Sequence, residues 1–329
     1  MSETTANNKS AENIPWVSFC MTTYKRPEFL RKQLQTLAQQ TFTDFQVIIS
    51  DNDPEGSGEV VVREFNDPRV LYFRNEENLG MVKSFNRSLS RARSEFVVMI
   101  TDDDPVYPDM LMELKKLYDI NPELNIYAGF KRVNKNHGQI EMIKPINFPF
   151  EILNPSLTEN ILWSSCIMRR LVVLKNGGFP DYGSPHLADH LMIALCGATS
   201  GGLVINRMFS TLSHHDSNFS KTNLDLYYIG CKSFYEFLTA KLDKAYYIRG
   251  NQNAIINHLN VWFVIIIFNL LNFYTYKNYS AQKISEIQEL SLKIKKLEFM
   301  KSVNYIYYKK YFQFKLKQFF KRTNLNPKS

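Results

Sequence analysis

The first half of the chain alternates short, unbroken apolar runs with longer stretches in which apolar residues recur every three or four positions. "WVSFCMT" (16–22), "FQVIIS" (45–50), "VLYFR" (70–74) and "EFVVMI" (95–100) are the unbroken runs. Between the first two, "RPEFLRKQLQTLAQQ" (26–40) sets Phe29, Leu30, Leu34 and Leu37 at helical spacing. "EVVVREF" (59–65) and "NLGMVKSFNRSLSRAR" (78–93) predict two further helices. Val- and Ile-rich runs without polar alternation, separated by helices, predict a parallel sheet covered on both faces. Ligands of such sheets bind beyond the carboxyl ends of the strands. Three polar clusters fall there: "TTYKRP" after the first run, "DNDPEG" after the second and "TDDDP" after the fourth.

A helix is predicted from about Pro108 to Ile120, and then the pattern changes. "LNIYAGFKRVN", "GQIEMIKP" and "SSCIMRR" predict additional strands, some of them antiparallel. "NGGFPDYG" reads as a tight turn, and "HLADHLMIALCGATSG" as a helix with a glycine stop. "GGLVINRMFSTLSHHDSNFS" reads as a strand followed by a polar loop. Beyond about Leu224 only helical patterns remain. The expected fold class is α/β, a mostly parallel central sheet followed by an α-helical C-terminal extension. The expected division is a loose polar lead (1–13), an α/β domain (14–223) and a helical, basic region (224–329). The lead lacks the apolar core of a signal peptide. The longest apolar block, "VWFVIIIFNLL" (261–271), reaches roughly 16 Å as a helix, and a bilayer takes ~20 apolar residues. It is therefore expected to be buried or interfacial.

Charge sharpens this picture. Residues 273–329 hold thirteen Lys and Arg against three Glu, a balance of +10, while the whole chain carries +8. The body is thus slightly acidic and the tail strongly basic, which argues against a nucleic-acid-binding core and directs attention to what the tail touches. Cys20, Cys166, Cys196 and Cys231 are scattered without a C-x-x-C pair, and read as reduced core residues.

Asp102, Asp103 and Asp104 end the fourth apolar run. Two unit charges ~4 Å apart cost about 4 kcal/mol at an effective dielectric near 20. Something has to neutralise them: a cation, basic neighbours, a raised pKa or solvent.

With these clusters placed, residues 16–222 resemble a family 2 glycosyltransferase, whose fold is the GT-A nucleotide-diphospho-sugar transferase fold. Thr23-Tyr24-Lys25-Arg26-Pro27 is similar to the family's T-Y-N-R-P turn, and "LAQQTFTDFQVIISDND" to its L-x-x-Q-T-x-x-x-x-E-I-I-V-x-D-D segment. Asn78-Leu79-Gly80 and a helical Asn lead to the D-x-D region, here "TDDD". "NGGFP" and "ADHLMIALCG" are similar to the later G-G-F-D turn and E-D helix.

The resemblance implies a divalent Mn or Mg ion assisting departure of a nucleoside diphosphate. Asp103 is then the principal metal ligand, Asp104 the second choice, and Asp102 belongs to the ribose or the metal shell. Asp51, with Asp53 nearby, is expected at the nucleotide base, and Thr23 and Tyr24 in the same pocket. D-N-D-P-E-G is equally good turn chemistry. Lys83 could meet a phosphate or stand in solvent. Asp189 falls on the family's catalytic base, which takes the acceptor proton in an inverting transfer. The Glu that usually precedes it is Ala188 here, and His186 and His190 beside it read as incidental. "HHDSNFS" is similar to the H-x-x-N-x-S loop, giving His215, Asn218 and Ser220, with His215 at the metal or the diphosphate.

On a helical wheel Tyr305, Tyr308, Phe312, Leu316 and Phe319 form one stripe, flanked by Lys309, Lys310, Lys317 and Lys321. Such a helix suits an anionic membrane surface, or packs its stripe on the preceding domain. The resemblance implies a cytoplasmic enzyme, peripheral on the inner face of the cell membrane. It would move a sugar from a nucleotide donor, UDP-linked by expectation, to a carbohydrate or polyprenyl-diphosphate-linked acceptor in bacterial polysaccharide or O-antigen assembly. A pyrophosphorylase of similar architecture would need a G-x-G-T-R-like loop, and "CMTTYKRP" has none. A non-catalytic, membrane-associated scaffold of the same fold is the alternative.

Overall fold

In a computed structural model of the protein the four apolar runs become strands β1 (Val17–Thr23), β2 (Phe45–Asp51), β3 (Val70–Arg74) and β4 (Phe96–Thr101). The structure describes residues 14–133, 137–213, 225–242, 252–276 and 280–323, with side chains to residue 319. The four strands pair in parallel in the order β3-β2-β1-β4. Their connections are α1 (Pro27–Ala38), α2 (Glu59–Phe65) and α3 (Met81–Arg91).

After α4 (Met110–Ile120) the sheet continues with β5 (Ile126–Phe130), β6 (Ile140–Ile143), β7 (Ile161–Arg169) and β8 (Gly202–Met208). The full order is β3-β2-β1-β4-β7-β5-β8-β6. β7 runs antiparallel to β4 and β5, and β6 antiparallel to β8, while β5 and β8 are parallel. Short helices α5 (Phe148–Ile152), α6 (Pro155–Thr158) and α7 (Arg170–Lys175) have no counterpart in the sequence reading. The predicted glycine-stopped helix is α8 (Ala188–Ser200).

Side-chain alternation explains the absence of polar positions in the strands. Val17, Phe19 and Met21 of β1, Phe45, Val47 and Ile49 of β2, and Phe96, Val98 and Ile100 of β4 share one core with α1 and α4. Cys20, Ile48, Val97 and Met99 point to the other face, under α3 and α8. β1, β2 and β4 thus bury both faces and read as continuous, whereas β3 lies half-buried at the sheet edge. All four cysteines are free and buried, as expected.

The second core also takes in the C-terminal helices α9 (Leu226–Lys241), α10 (Gln252–Tyr276), α11 (Ala281–Lys295) and α12 (Asn304–Thr323). α10 outruns the apolar block by some margin at each end. It is long and apolar enough to cross a membrane by length and composition, yet half of its most apolar stretch is buried within the protein. Asn260, fully buried in its middle, donates from Nδ2 to the Phe299 carbonyl (2.5 Å), while its Oδ1 is buried without a hydrogen-bond partner. In α12, Tyr307 and Phe314 face the core, whereas Tyr305 (78% exposed), Tyr308, Phe312 (64%), Leu316 and Phe319 face outward. The stripe thus lies on the solvent side of α12 rather than against the domain; the Lys321 side chain falls outside the described residues.

Candidate active site

Parallel register brings the three polar clusters together. Thr23 lies opposite Asp51, and Thr22 opposite Thr101, so the turns after β1, β2 and β4 end side by side. The acids are neutralised first by a residue of the chain itself. Arg26 donates from Nη2 and Nε (3.2 Å) to Asp102 and from Nη1 to Asp103 (3.0 Å). The Asp102 carboxylate also accepts from the Thr23 hydroxyl (2.7 Å) and is almost fully buried. Burial raises its pKa to about 7, against the opposing Arg26 charge and the Thr23 hydrogen bond. Lys25, between Thr23 and Arg26, has φ +53°, a sparsely populated conformation for a side-chain-bearing residue that turns the chain so that Arg26 reaches back.

Asp104 is held differently. Its Oδ1 accepts from the Ser213 amide (3.0 Å), and the Ser213 hydroxyl donates to the Asp103 carbonyl. Val106 pairs with Ser210, and Thr211 N donates to Pro105 O (3.1 Å). The segment after β8 is thereby tied to the acids at the threshold of the loop carrying His215, Asn218 and Ser220, which lies outside the described residues. Asp102 and Asp103 share the Arg26 guanidinium, while Asp104 is held from the other side by Ser213. Among the described residues no three acidic, histidine or cysteine side chains converge on one point. The set fits a hard cation bound by one or two carboxylates and completed by substrate oxygens, the usual arrangement for Mg-type ions. Thr101 Oγ1, beside the acids, is buried without a hydrogen-bond partner.

The cluster after β2 is organised around Asp51. Its Oδ1 accepts from Asp53 N (2.9 Å), and its Oδ2 from Gly58 N (3.0 Å) and the Tyr72 hydroxyl (2.7 Å). Gly58 has to be glycine, since a Cβ there would sit 2.8 Å from that same carboxylate oxygen. The Tyr72 phenol is pushed well up by burial and by Asp51. Asp53 caps the turn by accepting from Glu55 N and Ser57 N, and a hydrogen bond from the Ser57 side chain, with these amides, holds its carboxyl below the usual range against burial. Asn52 links this turn to the next: its Nδ2 donates to Asn78 Oδ1 (2.7 Å) and its Oδ1 accepts from Leu79 N (2.9 Å). Beneath it, Thr22, Ser50, Asn75 and Ser84 form a buried hydroxyl and amide network. Tyr24 is exposed at the rim, and Lys83 is exposed on α3.

Asp189 stands on the first turn of α8, aimed by Leu187 at φ +68°, a conformation strained for a branched side chain. Its Oδ1 meets His190 Nδ1 at 3.0 Å, and His190 Nε2 meets the Thr158 carbonyl at 3.1 Å. Burial pushes the Asp189 carboxyl up, but the charge and hydrogen bond of His190 outweigh it and leave it below the usual range. His190 mirrors this: burial pulls it down, and Asp189 and the Thr158 carbonyl carry it above the ordinary imidazole value. His190 is thus a partner of Asp189, not an incidental neighbour. His186 instead stacks on Tyr227, with ring centroids 3.9 Å apart.

Sequence reasoning missed Arg26, Asn52, Ser213 and His190 as parts of the site. Arg26 lay in a quoted motif beside an unbalanced acid cluster, and that imbalance was the available sign.

The architecture defines the class: parallel β-α units that end in an acid cluster, extended by an antiparallel-linked second half. Residues 18–178 match Glycosyl transferase family 2, and this stretch is a domain of that family. An uncharacterized glycosyltransferase of Methanocaldococcus jannaschii is 27% identical over 167 residues, 49% of this chain and 58% of that protein. The GalNAc(5)-diNAcBac-PP-undecaprenol beta-1,3-glucosyltransferase of Campylobacter jejuni is 30% identical over 104 residues, 31% of this chain and 34% of that one. The chain therefore spans little more than half, or less, of these relatives' lengths. Among solved structures, S. aureus TarS with UDP-GlcNAc superimposes with a TM-score of 0.59 at 16% identity, covering 78% of this chain and 80% of that one. A mannosyltransferase from Pyrobaculum calidifontis in complex with GDP-Man and Mn2+ does so with a TM-score of 0.57 at 14% identity, over 94% and 88%. At such identities these likenesses speak to the fold.

Proposed function

We infer that this chain is an inverting glycosyltransferase that moves one sugar from a nucleotide-sugar donor to a carbohydrate or lipid-linked oligosaccharide acceptor. The observation that carries this reading is the meeting of Thr23, Asp53 and the Asp102–Asp104 cluster at the carboxyl ends of adjacent parallel strands, where nucleotides bind in such sheets. Thr23, Tyr24, Asp53 and Lys83 are proposed to line the nucleotide pocket with Asp102. Asp51, its oxygens occupied by Gly58, Asp53 and Tyr72, would contribute through the shape of its turn.

Mn or Mg would be held by Asp103, with Asp104 or His215 completing the protein side. Such an ion, when bound, supplies positive charge to the departing diphosphate. Asp189 Oδ2, left by the Oδ1 pairing with His190, takes the proton of the acceptor hydroxyl. The hydroxyl oxygen forms the new bond to the anomeric carbon, and the old bond breaks with its electron pair on the diphosphate oxygen. Arg26 holds Asp102 and Asp103 in register for this step.

The nucleotide is proposed to be UDP, as in the donor bound by TarS. The acceptor class is suggested by the undecaprenol-linked one named for the Campylobacter relative. The outward aromatic stripe of α12, with Lys309 and Lys317 beside it, supports a peripheral position on an anionic membrane surface, the inner face of the cell membrane.

Calorimetric titration with UDP, GDP, dTDP and CMP, each with and without Mn, tests the reading. One nucleotide is expected to bind, and to lose binding without the ion or in Asp103→Ala. If none binds with the ion present, the enzyme reading falls, and a non-catalytic member of the same fold takes its place.

A further inference from the structure

The Asp189–His190 pair is built into a larger assembly that joins three distant stretches of chain. Both ring nitrogens of His190 face acceptors, Asp189 Oδ1 at 3.0 Å and the Thr158 carbonyl at 3.1 Å, so the ring is held as a double donor. Trp262 of α10 packs against it, with ring centroids 4.7 Å apart and ring planes tilted by 52°. Trp262 is itself buried, and its Nε1 donates to Glu159 Oε1 (3.1 Å), the residue next to Thr158. Asn269, two turns further along α10, donates to the other oxygen of Glu159 (3.4 Å). One end of α6 therefore gives a carbonyl to the histidine and a carboxylate to the tryptophan that packs against it.

Neighbouring residues on one helix do not ordinarily face each other, so an Asp-His contact between consecutive positions needs such outside support.

We propose that His190 is the positioning residue of Asp189, and that Trp262 of the C-terminal helical region locks it there. It holds Oδ1 and leaves Oδ2 directed at the acceptor hydroxyl. This rests on the reading of Asp189 as the base. It makes α10 part of the transfer machinery and not only a cover for the sheet. The groups that face the pair electrostatically are Lys131 at the end of β5, Glu159, Cys166 of β7, Tyr182 and Tyr227. Of these only Lys131 is a cation. Burial pulls its ammonium down, and Glu159, Asp189 and Asp104 oppose that shift.

The test uses the full chain with Mn and two donors, UDP-GlcNAc and GDP-mannose, alongside NMR titration of the histidine rings. His190→Asn keeps a donor near the Nδ1 position, whereas His190→Gln keeps the Thr158 contact and loses Asp189. His190→Gln is expected to lower kcat by about 10- to 100-fold with donor KM little changed, and His190→Asn by under about tenfold. Trp262→Phe is expected to lower kcat severalfold. In the wild type the His190 ring should titrate above 6.5, and in Asp189→Asn or Trp262→Phe that midpoint should fall. A His190 ring that titrates at the ordinary value and ignores Asp189→Asn overturns the proposal, whichever donor is used. If Asp189→Asn abolishes turnover while His190→Gln matches wild type in kcat and pH profile, the positioning role is lost and the base reading stands. If Asp189→Asn turns over normally, the base reading itself fails.

Discussion

Asn86 on α3 binds both backbone groups of Phe179, its Nδ2 donating to the carbonyl and its Oδ1 accepting the amide proton, each at 2.8 Å. One side chain thus pins the G-G-F turn, which precedes α8 and Asp189, to the helix that follows the nucleotide-side strands. Gly178 is required by the same contact: it has φ +75°, and a Cβ would sit 2.4 Å from Asn86 Oδ1. The two halves of the site are coupled here by backbone hydrogen bonds.

Asn86→Ala is expected to leave both Phe179 groups without partners and to cost about 2–6 kcal/mol of stability, given ~1–3 kcal/mol for each unsatisfied buried group. Gly178→Ala should cost a similar amount through strain and clash. Urea unfolding with unchanged m-values checks both. Stability within about 0.5 kcal/mol of wild type would show that the turn is held by other means.

Arg26 makes a second prediction. Removing it as Arg26→Met leaves a buried acid cluster without its cation, a class of change that costs about 3–5 kcal/mol. If the same acids take a divalent ion, Mn should raise the melting temperature of Arg26→Met by more than that of wild type. Equal shifts would mean that the ion binds elsewhere.

How much of this was legible follows from what each element buries. The four parallel strands lay within a residue of their apolar runs; in β1, β2 and β4 this follows from burial of both faces, and in the half-buried edge strand β3 from its Val, Leu, Tyr and Phe. β6 was less marked, since Ile140, Glu141 and Met142 are exposed at the sheet edge. The helical pattern through "AIINHLNVWFVIIIFNLL" (254–271) anticipated most of α10, which runs past it by two residues at one end and five at the other. The acids and Asp189 were recognisable by motif. Arg26 and His190 were not assigned, because their roles arise from partners that only folding brings near: Asp102 for the first, and Thr158 and Trp262 for the second.

The α12 stripe makes a third prediction. Tyr308 and Phe312 are exposed, so Tyr308→Ser with Phe312→Ser should leave the melting temperature within about 2 °C, surface changes being worth ±0.5 kcal/mol. Co-sedimentation with vesicles containing phosphatidylglycerol at low salt should fall in that variant, and in wild type as salt rises. Wild-type protein that stays in the supernatant at low salt refutes the membrane role.

The pH dependence of stability follows from the signs at Asp189 and His190. Asp189 has its folded pKa below the ordinary value of 3.8, so its contribution is present above that pH and fades as pH falls through the folded value. His190 has its folded pKa above 6.5, so its contribution is full below that pH and fades as pH rises through the folded value. Together they stabilise most between the two unfolded values. The melting-temperature difference between wild type and Asp189→Asn should therefore be largest near pH 5–6 and shrink towards pH 9. A difference that stayed flat from pH 5 to pH 9 would mean that His190 carries no charge for Asp189 to stabilise, and the pair would then be a neutral hydrogen bond alone.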